Sequence, residues 1–340
     1  MSEDLNCENE PITKKKYMDE DEESDDDIDY LSQEKTNSND SKTAEITRVE
    51  PIIGKNLLSY IIIHANNYHY KSWPECFPDG KVKLRKLIFN SKWDEFFSMI
   101  ENKSYFINLE NKLSDVTKKY GKKIFPYAEL VFNAFNILSP EQIKVIIMGQ
   151  DPYPGGSIVN GKFIPQACGF SFSVPIGYPK PMSLNNIYQH LLDHGHIKYI
   201  PNTGSLFTWI LQGCFMINAS LTVIQGQINV HAALWKNFTE DLLSYLSERY
   251  EHIAFIVWGA SANNTCKNIN PSKHKLITSS HPSPHSFNKK MNGYVYGPVN
   301  NESSRKKITY PAFIEIDHYT LANQYLESVG KKGILWDVYK

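Results

Sequence analysis

Residues 144–154 read KVIIMGQDPYP, and this stretch decides how the rest of the chain is understood. Val145 to Met148 form a short, unbroken apolar run rich in β-branched residues, the pattern of a strand buried on both faces. Gly149 ends the run, and Gln150, Asp151, Pro152 and Tyr153 follow at its carboxyl end. In open α/β sheets the ligand crevice lies outside the carboxyl ends of the strands, so polar residues here are candidates for chemistry. Taken alone, Asp151-Pro152 is also an ordinary turn closing a strand. The recurrence of the pattern further along the chain favours the first reading.

Three more buried runs follow. Cys214 to Ile217 leads into Asn218, Ile253 to Val257 into Trp258-Gly259, and Lys275 to Thr278 through Ser279-Ser280 into His281-Pro-Ser283-Pro. Segments of helical pattern separate them, which predicts βα units on a mainly parallel sheet. The fold class expected is α/β, a three-layer α/β/α sandwich around a short central sheet. Asp151, Asn218 and His281 then share one crevice, a carboxylate, an amide and an imidazole: a general base, a hydrogen-bonding reader and an acid or electrophile. No GxGxxG or GxxxxGK[ST] follows any of these strands, which argues against a bound nucleotide cofactor.

Between the first and second runs, Ser157 to Ile164 reads as two short strands joined by Asn160-Gly161, a strong hairpin signal, standing beside Asp151. A Pro-rich loop then reaches Ser183, expected to cap a helix whose inner face carries Leu184, Ile187 and Leu191. Helical periodicity also marks Trp93 to Leu109 and Tyr127 to Leu138.

The 340-residue chain has room for one large domain with extensions. Its five cysteines are scattered and include no CxxC pair, so neither zinc nor an iron–sulfur cluster is suggested and no cofactor is expected. A secretory signal and a membrane-spanning apolar run are both absent from the pattern, which leads to the expectation of a soluble, intracellular protein. The near-zero net charge hides an asymmetry. Residues 1–50 hold 17 acidic and 6 basic side chains, leaving 20 acidic and 30 basic ones beyond. A basic body suits a polyanionic partner, although lysine-rich surfaces also serve solubility alone. Residues 1–50, centred on DEDEESDDDID, are too polar to offset their ordering entropy and are expected to be disordered. Residues 51–90 read as a small appended element, and residues 91–340 as the functional domain.

Six blocks in order, GQDPYP (149–154), GFSFSV (169–174), MSLNNI (182–187), MINASLTV (216–223), VWGASA (257–262) and HPSPHS (281–286), closely resemble uracil-DNA glycosylase of family 1. The similarity is collinear from about Trp93 to the C-terminus. It implies excision of uracil from single- and double-stranded DNA by hydrolysis of the N-glycosidic bond after base flipping, as in base excision repair. It assigns Asp151 to orienting and activating the water, and His281 to donating a hydrogen bond to uracil O2 as a neutral imidazole. Asn218 would read the uracil edge, Phe172 stack on the base, Tyr153 exclude a thymine methyl and Gln150 act through its backbone. Ser183, Pro282, Ser283 and His285 would contact DNA. The resemblance further implies a monomer, acting in the nucleus or where viral DNA replicates. A role as a replication accessory, with a replication-protein partner, stays open beside catalysis.

Departures from the family pattern are informative. Pro154 stands where the family normally has His, and His285 where it has the Leu that fills the vacated stack. Imidazole is a more polar wedge, so a stronger preference for single-stranded DNA is expected. Insertions are expected near residues 155–165 and 297–313, with Lys306 and Lys307 in the second as further phosphate contacts. These features and the acidic extension fit a divergent, viral member.

Overall fold

Four short apolar runs make the central sheet: β1 (Val145–Gly149), β2 (Cys214–Asn218), β3 (Ala254–Trp258) and β4 (Lys275–Ser279), in the spatial order β2-β1-β3-β4 and all parallel. Residues 57–299 and 301–338 are described by the structure, a computed structural model. The acidic extension expected over residues 1–50 lies outside them. The register sets Val145 opposite both Cys214 and Ala254, and Gly149 opposite Asn218. All five positions of each of β1, β2 and β3 are buried. That explains why these strands read as continuous apolar runs rather than alternating ones.

Helices flank the sheet, the longer ones being α1 (Ser104–Tyr120), α2 (Met182–Asp193), α3 (Ala232–Arg249) and α4 (His318–Ser328). α2 buries Leu184, Ile187, Tyr188 and Leu191 at helical spacing, as its periodicity implied. Its start differs from expectation. Pro181 is the N-cap residue and no side chain caps the helix, so Ser183 sits inside the first turn. Pro181 occupies the N-cap two positions before Ser183, so the serine cannot cap the helix. In α4 the expected chemistry is present: the Asp317 carboxylate accepts from the main-chain N–H groups of Tyr319 and Thr320 at 3.1 and 3.0 Å.

The periodic stretch from Trp93 divides into two helices, Asp94–Ile100 and α1, and within residues 127–138 the only α-helix is the short Asn133–Ile137. The hairpin is Gly156–Val159 paired with Lys162–Pro165. Asn160 and Gly161 both adopt left-handed φ, 51° and 75°, as a two-residue hairpin turn requires. The hairpin's side-chain contacts run to residues far from it in sequence. Phe163 stacks on Phe125 with centroids 5.7 Å apart, Ser157 bonds Tyr178, and Lys162 donates to the Tyr68 carbonyl at 2.7 Å. The second insertion belongs to a hairpin that begins earlier than the sequence suggests, with Met291–Tyr294 paired to Lys307–Tyr310. The Arg305 guanidinium pins its base by donating to the carbonyls of Lys267, Val295 and Gly297. Lys307 lies over the Tyr294 ring at 5.2 Å rather than reaching outward alone.

The expected appended element over residues 51–90 is replaced by a segment whose described part, residues 57–90, is built into the main core. Tyr60, Trp73 and Leu84 are fully buried. The Tyr60 hydroxyl donates to Glu129 at 2.8 Å, Lys71 N–H to the same carboxylate at 2.6 Å, and Trp73 Nε1–H to the Pro126 carbonyl at 3.0 Å. Asn133 Nδ2 bridges the carbonyls of Tyr60 and Cys168. No local sequence signal carries these long-range bonds. They give an expected outcome for Trp73→Ala. Truncating a buried Trp costs about 3–5 kcal/mol, so a single cooperative melting transition of the whole protein moves down. A separate early transition, with the main one unshifted, would mean that the segment folds apart.

Candidate active site

The carboxyl ends of β1 and β2 deliver the first half of the site. Main-chain bonds run from Ala219 N–H to the Gly149 carbonyl at 2.9 Å and from Ser220 N–H to the Gln150 carbonyl at 3.0 Å. The lip is thereby tied to its neighbour strand beyond the last paired residue. Asp151, Tyr153, Phe172 and Asn218 line one cleft there, walled by Pro126, Val131, Phe135 and Leu221. Tyr153 OH donates to the Phe172 carbonyl at 3.3 Å, fixing two walls against each other. Residues 169–174 form no strand; Phe172 takes a left-handed φ of 60°, uncommon for a bulky side chain. Strain of this kind is held in place by its surroundings. Ser171 supplies them through its N–H to the Met216 carbonyl at 3.3 Å and its hydroxyl to Ile147 at 3.1 Å.

Phe172 joins this half to the second. Its ring meets Trp258, at the end of β3, edge-on at 5.2 Å, and His281, just past β4, at 5.6 Å. Trp258 in turn rests on Phe313 and on His318 at 5.4 and 5.6 Å. Phe172 thus gives the cleft an aromatic wall, and such a ring can stack on a planar group.

The charged groups are tuned in useful directions. Burial raises the Asp151 carboxyl above the usual carboxylate range, and the N–H of Asn229, bonded to Oδ2, pulls it back. The other oxygen, Oδ1, is buried and has no hydrogen-bond partner. Burial pushes the His281 imidazole down to about 4. Its Nδ1 accepts the Ser283 N–H at 3.0 Å. A neutral ring accepting at Nδ1 carries its proton on Nε2, so the ring is a donor at that nitrogen.

Around His281 the HPSP loop is cross-braced. Ser283 and Ser286 hydroxyls meet at 2.8 Å, Ser286 Oγ donates to the His281 carbonyl at 3.1 Å, and Asn186 Nδ2 on α2 donates to the Pro282 carbonyl at 2.8 Å. That last bond brings Ser183, one turn earlier on α2, beside the loop of Pro282 and Ser283. His285 is exposed at the loop's tip. Gln150 uses both main chain and side chain, since its Nε2 donates to Asn229 Oδ1.

Sequence reasoning missed Asn229, Asn186 and Trp258. Asn229 acts through its main chain, which leaves no residue-type signal, and the other two matter only through distant partners. Among the described residues, no group of three or more His, Cys, Asp or Glu side chains converges as a metal site, and no helix is long and apolar enough to cross a membrane.

A parallel α/β sheet with a carboxylate, an amide and a neutral imidazole around an aromatic slot at its carboxyl lip defines an enzyme that works on a planar, hydrogen-bonding ring. Residues 135–306 match the sequence model of the Uracil DNA glycosylase superfamily. The chain is 48% identical over 288 residues to the "Probable uracil-DNA glycosylase" of Acanthamoeba polyphaga mimivirus, covering 84% of this chain and 75% of the relative. It is 36% identical over 261 residues to the uracil-DNA glycosylase of Pseudomonas aeruginosa (strain UCBPP-PA14), covering 76% of this chain and 97% of that one. The crystal structure of the mimivirus uracil-DNA glycosylase matches the fold with a TM-score of 0.79 at 48% identity, over 84% of this chain and 100% of that chain. The chain belongs to the uracil-DNA glycosylase family and is a hydrolase of that class.

The histidine carries a direct expectation. Its folded pKa lies below the unfolded value of about 6.5, so the neutral ring contributes stability above that value, lost as pH falls towards 4. Nitrogen-resolved NMR is expected to find His281 neutral and protonated at Nε2 from pH 8 down to 5. A ring titrating near 6.5, or protonated at Nδ1, would contradict this geometry.

Proposed function

We propose that this chain hydrolyses the N-glycosidic bond of a uracil nucleotide extruded from DNA, with Asp151 and His281 as its catalytic pair. One observation carries the reading: a buried carboxylate with one unpartnered oxygen lines the same aromatic slot against which a neutral, Nε2-protonated imidazole packs. Uracil enters the slot and stacks on Phe172. Asn218, only 9% exposed, offers both an amide donor and an acceptor to the pyrimidine edge. Tyr153 fills the space that a C5-methyl group would need.

As the bond between the sugar C1′ and the base N1 lengthens, positive charge grows on the sugar and negative charge on the base. His281 Nε2–H donates to uracil O2, where the negative charge develops; a fixed donor aimed at developing charge is usually the largest catalytic contribution. Asp151 stabilises the cationic sugar and takes the proton of the attacking water through Oδ1. The products are uracil and an abasic site. Because His281 is neutral, it need not lose a proton to water or carry a charge repelled by the sugar. Gln150 fixes the lip through its main-chain carbonyl and through its side-chain Nε2, which donates to Asn229.

DNA is held by Ser183, Pro282, Ser283 and the exposed His285, whose loops present hydroxyls and main-chain N–H groups suited to phosphates. His285 enters the vacated stack as a polar wedge. These contacts position the strand without reading its sequence. A monomer suffices, since every residue invoked comes from one chain, and the site of action is nuclear DNA or DNA replicating in a viral infection.

The test is release of uracil from a uracil-containing oligonucleotide, read by alkaline cleavage at the abasic site. Asp151→Asn is expected to lower single-turnover excision by about 10²–10⁴-fold, the usual general-base contribution, with DNA binding retained. Tyr153→Ala is expected to gain slow thymine release, since a steric wall discriminates more strongly than a missing contact. Near-wild-type excision by Asp151→Asn would remove that carboxylate from the mechanism. Loss of uracil excision by Tyr153→Ala, with no thymine release, would make the ring ordinary packing.

A further inference from the structure

Asp151 has two carboxylate oxygens, and the fold treats them differently. Oδ2 accepts the main-chain N–H of Asn229, whereas Oδ1 is buried with no partner. A general base with both oxygens free could rotate about its terminal torsion and present either one, since that torsion is broad and roughly two-fold. Occupying Oδ2 with a main-chain donor stops the rotation and leaves one oxygen for the water.

The donor is aimed by an unusual backbone. Asn229 has a φ of 57°, a left-handed conformation that costs most residues energy and that Asn tolerates better than other side chains. Its side chain makes a second bond to the same lip, Oδ1 accepting from Gln150 Nε2. One residue therefore grips two consecutive residues of the GQDPYP turn, by main chain and by side chain. The loop before it is anchored to match. Gln225 N–H donates to the Lys123 carbonyl at 2.8 Å and Gly226 N–H to the Pro154 carbonyl at 3.0 Å. Pro154 itself has no side-chain donor to offer the carboxylate. On the far side, Ala232 N–H donates to the Asn229 carbonyl at 3.0 Å, where α3 begins. The loop is thus held at both ends, and Asn229 stands at the point where it meets the carboxylate.

We infer that Asn229 is the positioning residue of this enzyme: its left-handed main chain locks Asp151 so that Oδ1 alone faces the reacting water, and its side chain locks Gln150 beside it. The inference rests on the glycosylase reading and deepens it. Asn229 touches neither base nor water in this scheme; it acts through Asp151. Removing the lock lowers the rate constant of the chemical step and leaves substrate affinity nearly unchanged. It also makes the loss conditional on Asp151 being a carboxylate.

The experiment is a double-mutant cycle in the full-length chain on a single-stranded uracil oligonucleotide, which avoids the cost of opening a duplex. Asn229→Val replaces a residue that tolerates positive φ with a β-branched one that does not. It is expected to lower single-turnover excision by about 10- to 100-fold, part of what a general base supplies, with KM moving less than about threefold. Asn229→Gly keeps the N–H and the left-handed backbone, and is expected to recover the rate to within about fivefold of wild type. In the Asp151→Asn background the same Asn229→Val change is expected to cost less than about twofold, because residues acting as a unit are not additive. Should Asn229→Val fail to fold, judged by loss of a cooperative melt, Asn229→Ala carries the same cycle with a smaller loss in the same direction. The inference is overturned if the valine variant keeps the wild-type rate, or if it costs the same factor with and without the Asp151 carboxylate, which marks a merely structural loop. A wild-type chain that releases no uracil overturns the glycosylase reading as well; full wild-type activity with an additive cycle overturns this inference alone.

Discussion

The site depends on how closely β1 and β2 approach at their carboxyl ends. A Cβ on Gly149 would stand 2.2 Å from Asn218 Oδ1 and 3.0 Å from the Ser171 Cβ. No side chain fits between the lip that carries Asp151 and the amide at the pocket floor. Parallel register does the rest. Because Gly149 pairs with Asn218, and Trp258 with Ser279 two residues before His281, the carboxylate, the amide, the aromatic support and the imidazole emerge at one end of one sheet. A one-residue slip would turn each set of side chains to the opposite face.

On that frame, one physical effect tunes two groups in opposite senses. Burial disfavours charge, which raises the Asp151 carboxyl and lowers the His281 imidazole. The carboxyl is rescued as a base by a single main-chain donor. The imidazole is lowered by burial; its ring packs on Phe172 and its Nδ1 accepts from Ser283. The result is a carboxyl held up by burial and partly pulled back by one main-chain donor, beside an imidazole that burial keeps neutral at pH 7. The chemistry of cleaving a base from a sugar asks for that pairing, a negative group near the developing cation and a hydrogen bond for the departing anion.

Much of this is legible in the chain itself. β1 is announced by Val145 to Met148, four fully buried residues in a row, and its neighbours by runs of the same kind. Asp151, Asn218 and His281 are visible because each follows such a run, and periodicity finds the inner face of α2. What escapes has a physical reason in each case. The integration of residues 57–90 depends on bonds such as Tyr60 to Glu129, sixty-nine positions apart, which no local pattern encodes. Ser183 fails as a cap because Pro181 fixes the start of α2 first. The hairpin was legible as a hairpin from Asn160-Gly161, but its packing towards Phe125 and Tyr68 was not. Asn229 is invisible because its contribution is an N–H that every residue except proline possesses.

Gly149→Ala is the sharpest probe of whether the close approach of Gly149 to Asn218 shapes the cleft. The added methyl group must displace the amide, so the account predicts a protein that still melts cooperatively but whose single-turnover uracil excision falls by at least about 100-fold, as expected when a positioned reactant is misplaced by about 1 Å. Excision at the wild-type rate by a well-folded Gly149→Ala protein would contradict it.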